Sequence, residues 1–155
     1  QFFIILWKIL KNMSVSYFSE DIKMPKIQRR VISLWVKEVA KTYHKKVGDI
    51  NYIFCSDEHI LKINKQFLQH DYYTDIITFD YCENDTISGD LFISLDTIKT
   101  NAEKFSTEYE QELHRVIIHG ILHLCGINDK GIGEREIMEA EENKALSILA
   151  NLQTK

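Results

Sequence analysis

Two histidines lie four residues apart in an apolar stretch of the chain, and an aspartate follows shortly after them. The stretch reads Arg115-Val-Ile-Ile-His-Gly-Ile-Leu-His-Leu-Cys-Gly126, and Asp129 comes six residues after His123. An α-helix turns about 100° per residue, so His119 and His123 are expected on one face. Two imidazoles there can bind one metal ion, and Asp129 can supply a third ligand once Gly126 has ended the helix in a left-handed conformation. Three N and O ligands leave a fourth position for water, which is the pattern of catalytic zinc sites.

Each of these residues also has an ordinary structural interpretation. A lone histidine in an apolar helix is usually a core residue with satisfied hydrogen bonds, and an Asn-Asp pair after a helix-ending glycine is common turn chemistry. Two imidazoles at this spacing would both need buried partners, so a shared metal accounts for them better. The zinc-protease pattern His-Glu-x-x-His is similar, but Gly120 occupies the position of its catalytic glutamate, which argues against a protease. A glycine there costs the helix about 1 kcal/mol, and close approach of another backbone or of a substrate is one reason to accept that cost.

The segment from His119 to Asp129 resembles the signature of the YbeY family, the bacterial endoribonucleases of ribosomal RNA maturation. That signature is His-Gly-x-Leu-His-Leu-x-Gly-x-Asp-His, and every fixed position matches through Gly126. Asn128 then stands where the family has Asp, and Asp129 stands where it has the third His. The segments 63–79, 89–94 and 138–141 are similar to further family segments, so the resemblance covers about residues 14–150.

The resemblance implies a single-strand-specific, metal-dependent endoribonuclease that acts in late 3′-end maturation of small-subunit ribosomal RNA and in ribosome quality control. It implies one Zn²⁺ per chain, bound by His119, His123 and Asp129. The implied partners are ribosomal RNA and the small ribosomal subunit with its proteins. Two alternatives stay open: another zinc-dependent hydrolase, and a non-catalytic ribosome-associated factor with a structural zinc.

One departure from the family concerns the charge near the reacting phosphate. Leu68 stands where the family usually has a functional arginine, whose charge would stabilise the transition state of phosphodiester cleavage. Lys65, His70 or Arg115 are candidates to replace it. His70 is also the expected acid/base or phosphate-contacting residue. His114 falls off the ligand face of its helix and is not expected to be a ligand.

Composition favours one cytoplasmic domain. The chain has 155 residues and a net charge of −4, so RNA binding would need a local basic patch. Lysines 37, 41, 45 and 46, with Arg29 and Arg30 earlier in the same helix, are candidates, although a solvated helix face is the preferred interpretation of these charges. Cys55, Cys82 and Cys125 are too widely spaced to suggest a disulfide framework or a Cys-x-x-Cys zinc site, and Cys125 is expected to pack in the interior. These features suit a reducing cytoplasm.

The apolar residues 1–12 are too few to span a bilayer and make a poor signal peptide. We expect them to be an extension outside the fold, with 13–155 as one metal-dependent hydrolase domain. No stable membrane association is expected, although a surface anchor is an alternative for this segment.

The apolar pattern predicts an α+β fold, a mixed four-stranded sheet covered by helices, with the metal site on the His-x-x-x-His helix. Strands are expected at 15–18, 50–55, 76–81 and 90–94, with a turn at 48–49 and a bulge near Gly89. Pro25 should open the first helix, which runs to Tyr43 with Leu34 among its inward residues. Helices are also expected at 57–67 after a Ser56 cap, at 96–104 after an Asp96 cap, from a Thr107–Glu110 capping box, and at 134–152.

Aromatic and acidic residues complete the expectations. The larger aromatics should pack in the core, namely Trp35, Phe54, Phe67, Phe79 and Phe92. Tyr72 and Tyr73 are better candidates for contacting bases, although packing explains them equally well. The acid-rich segment from Glu134 to Glu142 is expected to compensate the helix dipole and to be solvated.

Overall fold

The structure, a computed structural model, describes residues 14–69 and 74–154. The described residues form four strands and five helices. In chain order these are β1 (Val15–Ser19), α1 (Arg29–Thr42), β2 (Lys46–Cys55), α2 (Asp57–Phe67), β3 (Ile76–Asp80), β4 (Thr86–Ser94), α3 (Leu95–Lys104), α4 (Tyr109–Leu124) and α5 (Glu134–Gln153). The proposed extension at residues 1–12, and Tyr72 and Tyr73, lie outside the described residues.

The strands form one mixed sheet in the order β1-β2-β4-β3. The pairs β1–β2 and β2–β4 are parallel, because α1 and the segment from α2 to β3 provide the crossover connections that parallel neighbours require. The short link between β3 and β4 instead makes that pair antiparallel. The expected α+β fold with a mixed four-stranded sheet is confirmed, and β3 lies at one edge of the sheet.

Each face of the sheet has its own apolar core. The larger core joins α1, α3, α4 and α5 to one face, where Leu91 and Ile93 of β4 are fully buried. The smaller core places Ile60 and Ile63 of α2 against Ile77 on the opposite face. This alternation along the strands follows from the two-residue period of a β-strand. Among the helices of the described residues, none is long and apolar enough to cross a membrane.

Helix α4 lies in the middle of the larger core and carries both histidines. Tyr52 of β2 donates its hydroxyl hydrogen bond to the Ile117 carbonyl at 3.0 Å. Gly120 faces the sheet, where a Cβ atom would lie 2.9 Å from Ile76 Cδ1 and would overlap Leu91 Cδ2. The close approach of α4 to the sheet therefore explains why a glycine stands at position 120. The groups that approach it are side chains of the sheet rather than a substrate.

Helix α1 begins four residues later than the proline suggested. Gln28 precedes it with a non-helical backbone, so the prediction that Pro25 opens the helix is wrong. Met24 and Ile27 pack against the core outside the helix and contribute apolar burial there. Leu34 is 48% exposed, because the buried stripe of α1 runs instead through Ile32, Trp35, Val36 and Val39.

Two predicted caps were also wrong. The Ser94 hydroxyl, not Asp96, accepts the backbone N–H of Thr97 at the start of α3. Helix α4 starts after Glu108 without a side-chain cap, and Thr107, one residue before that position, closes the end of α3 by donating its N–H to the Ala102 carbonyl. The Ser56 cap of α2 is confirmed, since its hydroxyl accepts from the His59 N–H at 3.2 Å.

Strands β2 and β4 each begin four residues earlier than predicted, whereas β1 and β3 begin where predicted. Gly48 and Asp49 do not form a turn but lie within β2, where the register with β4 shifts between Val47 and Ile50. The irregularity predicted near Gly89 is thus on the neighbouring strand, opposite that glycine. β4 begins at Thr86 and β3 ends at Asp80.

The prediction for the aromatics holds for most of them. Trp35 and Phe54 are fully buried, and Phe79 and Phe92 are half-buried in the smaller core. Phe67 is 59% exposed, because it stands at the last turn of α2, where its ring makes a T-shaped contact with the Phe79 ring.

Candidate metal centre

The C-terminal half of α4 brings His119 and His123 together on one face. Their Nε2 atoms are 3.0 Å apart. Gly126 follows the helix with a φ of +98°, and the Ile127 N–H closes the end of the helix by donating to the Leu122 carbonyl. The predicted left-handed ending is confirmed, and it turns the chain back toward the histidines.

Asp129 completes a triangle of possible ligands. Its Oδ2 atom lies 3.4 Å from Nε2 of His119 and 3.4 Å from Nε2 of His123. The three side chains are partly exposed, so a small ligand can reach the centre of the triangle from one side. The structure thus brings together all three residues that the sequence predicted as ligands.

The triangle fits a tetrahedral divalent ion. Zinc binds imidazole nitrogen and carboxylate oxygen at about 2.0–2.2 Å, so neighbouring ligand atoms of a tetrahedral site lie roughly 3.3 Å apart. The three measured separations are within a few tenths of an ångström of that value. Two nitrogens and one oxygen also suit zinc, and three protein ligands leave one position open.

A buried carboxylate from α5 contacts the far side of His119. Glu142 Oε1 lies 2.7 Å from Nδ1 of His119, and the Glu142 side chain is only 4% exposed. The second oxygen of Glu142 accepts from Arg115 Nη1 at 3.2 Å. Arg115 also pairs through Nε and Nη2 with buried Glu112. A continuous series of hydrogen bonds therefore links Glu112, Arg115, Glu142 and His119.

The surroundings favour a neutral, metal-competent His123 and a charged Arg115. Burial lowers the pKa of His123, neighbouring His119 lowers it further, and Asp129 acts in the opposite direction. A neutral imidazole keeps the lone pair that a metal needs. Burial alone would lower the pKa of Arg115, but its bonds to Glu112 and Glu142 outweigh burial and raise it.

A further carboxyl lies within electrostatic range of this centre. Burial raises the pKa of Asp75, at the start of β3, while His119 and Arg115 act to lower it. Its carbonyl accepts the Ser94 N–H at 2.9 Å, which ties the segment to β4. Asp75 is thus a partly buried titratable group within electrostatic range of His119, in the kind of environment where acid/base residues occur.

The remaining residues that the sequence analysis named lie outside the triangle of possible ligands or outside the described residues. His114 contacts Glu110 and the edge of the Trp35 ring, which agrees with its exclusion as a ligand. Cys125 is half-buried against the larger core, as predicted. Leu68 is 40% exposed at the end of α2. The proposed role of His70 falls outside the described residues.

Sequence reasoning missed the carboxylates behind the site. Glu142 was expected to be solvated with its acidic neighbours, yet it is buried. A signal existed, since Glu142 shares the helical stripe of the buried Met138, Ala145 and Leu149. Glu112 likewise lies seven residues before His119, on the same face of α4.

Comparisons with known proteins agree with this geometry. The family model described as Endoribonuclease YbeY matches residues 14–150. A protein of Parabacteroides distasonis named Endoribonuclease YbeY is 69% identical over 137 residues, which cover 88% of this chain and 96% of that protein. One of the same name from Bacteroides fragilis is 69% identical over 136 residues, covering 88% and 98%. The solution structure of a Thermotoga maritima protein superposes with a TM-score of 0.62 at 27% identity, covering 87% of this chain and 88% of that one.

Proposed function

The chain belongs to the YbeY family, and from that premise we propose that it is a metal-dependent endoribonuclease specific for single-stranded RNA. Its proposed role is late 3′-end maturation of small-subunit ribosomal RNA and ribosome quality control. The observation that carries the proposal is the triangle of His119, His123 and Asp129, in a chain whose relatives are named endoribonucleases.

We propose Zn²⁺, one per chain, as the ion that these three residues hold. The chemistry that a divalent ion supplies in such a site is Lewis-acid activation of a phosphoryl oxygen or of water. The histidines offer Nε2 lone pairs, and Asp129 offers a carboxylate oxygen whose charge offsets part of that of the ion. Asp129 replaces the histidine of the family signature, and a carboxylate oxygen is also a competent ligand for zinc.

The positive charge that the family arginine would provide must come from elsewhere. Arg115 was one candidate, but it is occupied by hydrogen bonds to two buried carboxylates and lies behind His119. Lys65, which is exposed in the last turn of α2, and His70 are therefore the candidates we retain for contact with the RNA phosphate. His70 is also the proposed acid/base residue.

Ribosomal RNA and the small ribosomal subunit with its proteins are the proposed partners, in the cytoplasm. RNA carries a high density of negative charge, whereas this chain has a net charge of −4. Binding must then depend on a local patch, on the metal or on basic partner proteins. If so, the affinity of the isolated protein for free RNA should depend only weakly on salt concentration. Its affinity for the ribosomal subunit should depend on salt more strongly.

The proposal is tested by pairing metal content with RNA cleavage. We expect about one zinc per purified chain and cleavage of single-stranded RNA in preference to a matched duplex. The double variant His119→Ala/His123→Ala should lose both, while His44→Gln, which alters an exposed histidine on the turn after α1, should lose neither.

Three results would count against the proposal in different ways. Bound zinc without cleavage would favour a ribosome-associated factor with a structural ion, with Leu68 as the suspected cause. Cleavage of peptides or small esters instead of RNA would favour another zinc hydrolase. Absence of bound zinc, together with undiminished cleavage by the double variant, would refute the site itself.

A further inference from the structure

The contact between Glu142 and His119 determines which imidazole nitrogen faces the proposed metal. A carboxylate only accepts hydrogen bonds, so the 2.7 Å contact requires a hydrogen on Nδ1 of His119. The neutral ring then has its lone pair on Nε2, the atom that faces His123 and Asp129. In water an unconstrained imidazole is free to place its hydrogen on either nitrogen, so this contact selects one tautomer.

Glu142 is in turn held by Arg115. The guanidinium donates to Glu142 from Nη1 and to Glu112 from Nε and Nη2, so it lies between two buried carboxylates. Glu112 and Glu142 are each 3% exposed. This fork geometry fixes the plane of the guanidinium, and with it the position of the Glu142 carboxylate.

The burial of Glu142 argues that the carboxylate has a role beyond packing. It lies on the stripe of α5 that otherwise buries Met138, Ala145 and Leu149, where an apolar side chain would pack without desolvating a charge. Among the side chains joined by these contacts, Glu112, Glu142 and Asp129 are acidic and Arg115 is basic. The group therefore has a formal excess of two negative charges, which is the sign that a cation would offset.

We propose that Glu142 is a positioning residue that fixes the tautomer and ring orientation of His119, and that Arg115, clamped by Glu112, holds Glu142 in place. The inference rests on the proposed metal site but not on the identity of the substrate. Partners of this kind behind ligand histidines typically change metal affinity by about 10- to 100-fold.

The variant Glu142→Gln tests this role. The carboxylate of Glu142 accepts from both His119 and Arg115, whereas an amide has a single acceptor oxygen. Its NH₂ group would therefore face one of these two donors, and one hydrogen bond would be lost. We expect zinc affinity, measured by competition with a chromophoric chelator, to fall about 10- to 100-fold. In metal-free protein the ¹⁵N shifts of His119 should report loss of the Nδ1–H tautomer. The matched control Glu139→Gln, an exposed change one turn earlier on α5, should alter neither quantity.

A second variant keeps the test decisive if Glu142→Gln does not fold. Glu142→Asp retains the charge beside Arg115 but withdraws the carboxylate by one methylene from His119. It should fold and lose a smaller part of the zinc affinity. Unchanged affinity and an unchanged His119 tautomer in either folded variant would overturn the inference.

The outcomes separate this inference from the proposed function. A wild-type protein that binds no zinc and cleaves no RNA would refute the proposed function, while the tautomer measurement would still test Glu142 in metal-free protein. A wild-type protein that does both, with Glu142 variants that match it in affinity and tautomer, would refute only the positioning role.

Discussion

The substitution Gly120→Ala tests whether the close approach of α4 to the sheet sets the position of the proposed ligands. Two effects oppose each other at this residue. Alanine favours a helix over glycine by about 1 kcal/mol. Its Cβ atom, however, would overlap Leu91 Cδ2 and lie 2.9 Å from Ile76 Cδ1, where carbon atoms normally stay about 3.5–4.0 Å apart.

The packing effect should be the larger of the two. Leu91 is fully buried, so it has no free space into which its side chain can rotate. Forcing an extra carbon into a filled core typically costs about 1–3 kcal/mol, and this contact is among the severe ones. We therefore take the upper part of that range, about 2–3 kcal/mol, and after the helix-propensity gain of about 1 kcal/mol is subtracted we expect a net loss of about 1–2 kcal/mol in the free energy of unfolding. His119 is the preceding residue, so any shift of α4 also displaces a proposed ligand.

Denaturant unfolding of the metal-free protein measures this loss, and chelator competition measures the accompanying fall in zinc affinity. The double variant Leu91→Ala/Gly120→Ala is the matched control, because removing the Leu91 side chain makes room for the new methyl group. The loss in free energy of unfolding of the double variant should be smaller than the sum of the two single losses, by at least about 1 kcal/mol. A Gly120→Ala protein as stable as the wild type, with unchanged zinc affinity, would refute the argument from helix–sheet distance.

Three further predictions concern buried charge and a buried thiol. Arg115→Met leaves Glu112 and Glu142 buried without their cation and should lower the free energy of unfolding by about 1–3 kcal/mol, because the 35% exposed Arg115 side chain is partly screened by solvent; a loss of RNA binding at unchanged stability would instead place Arg115 on the substrate. Burial raises the pKa of Asp75, so the folded protein keeps a proton that the unfolded chain releases. Stability should fall as pH rises from 3.8 through the raised pKa. Denaturant unfolding at several pH values should show that the free energy of unfolding of Asp75→Asn lacks this decrease. Parallel pH profiles of the wild type and the variant would contradict the prediction. Burial raises the pKa of Cys55 to about 12, so iodoacetamide at pH 8 should label this thiol only after unfolding, as peptide mass spectrometry can show; rapid labelling of folded protein would disprove its burial.

The elements themselves were largely predictable, and the errors fell at their boundaries. The two-residue and 3.6-residue periods of the apolar residues predicted the four strands and five helices, because burial of one face is a local property of the sequence. The start of α1 and the cap of α4 were wrong for a non-local reason. Ile27 packs on the core outside a helix, and Thr107 still closes the preceding helix, neither of which the local pattern encodes.

The sequence alone determined that the two histidines proposed as ligands share a face, because spacing within one helix fixes which side chains lie together. It also determined the glycine ending that returns the chain to them. Only the tertiary structure decided that Glu142 lies behind His119, that the partly exposed Arg115 pairs with two buried carboxylates, and that Gly120 faces the sheet. These contacts join separate elements, so they depend on how helices and strands pack against one another, a property that no local period along the chain specifies.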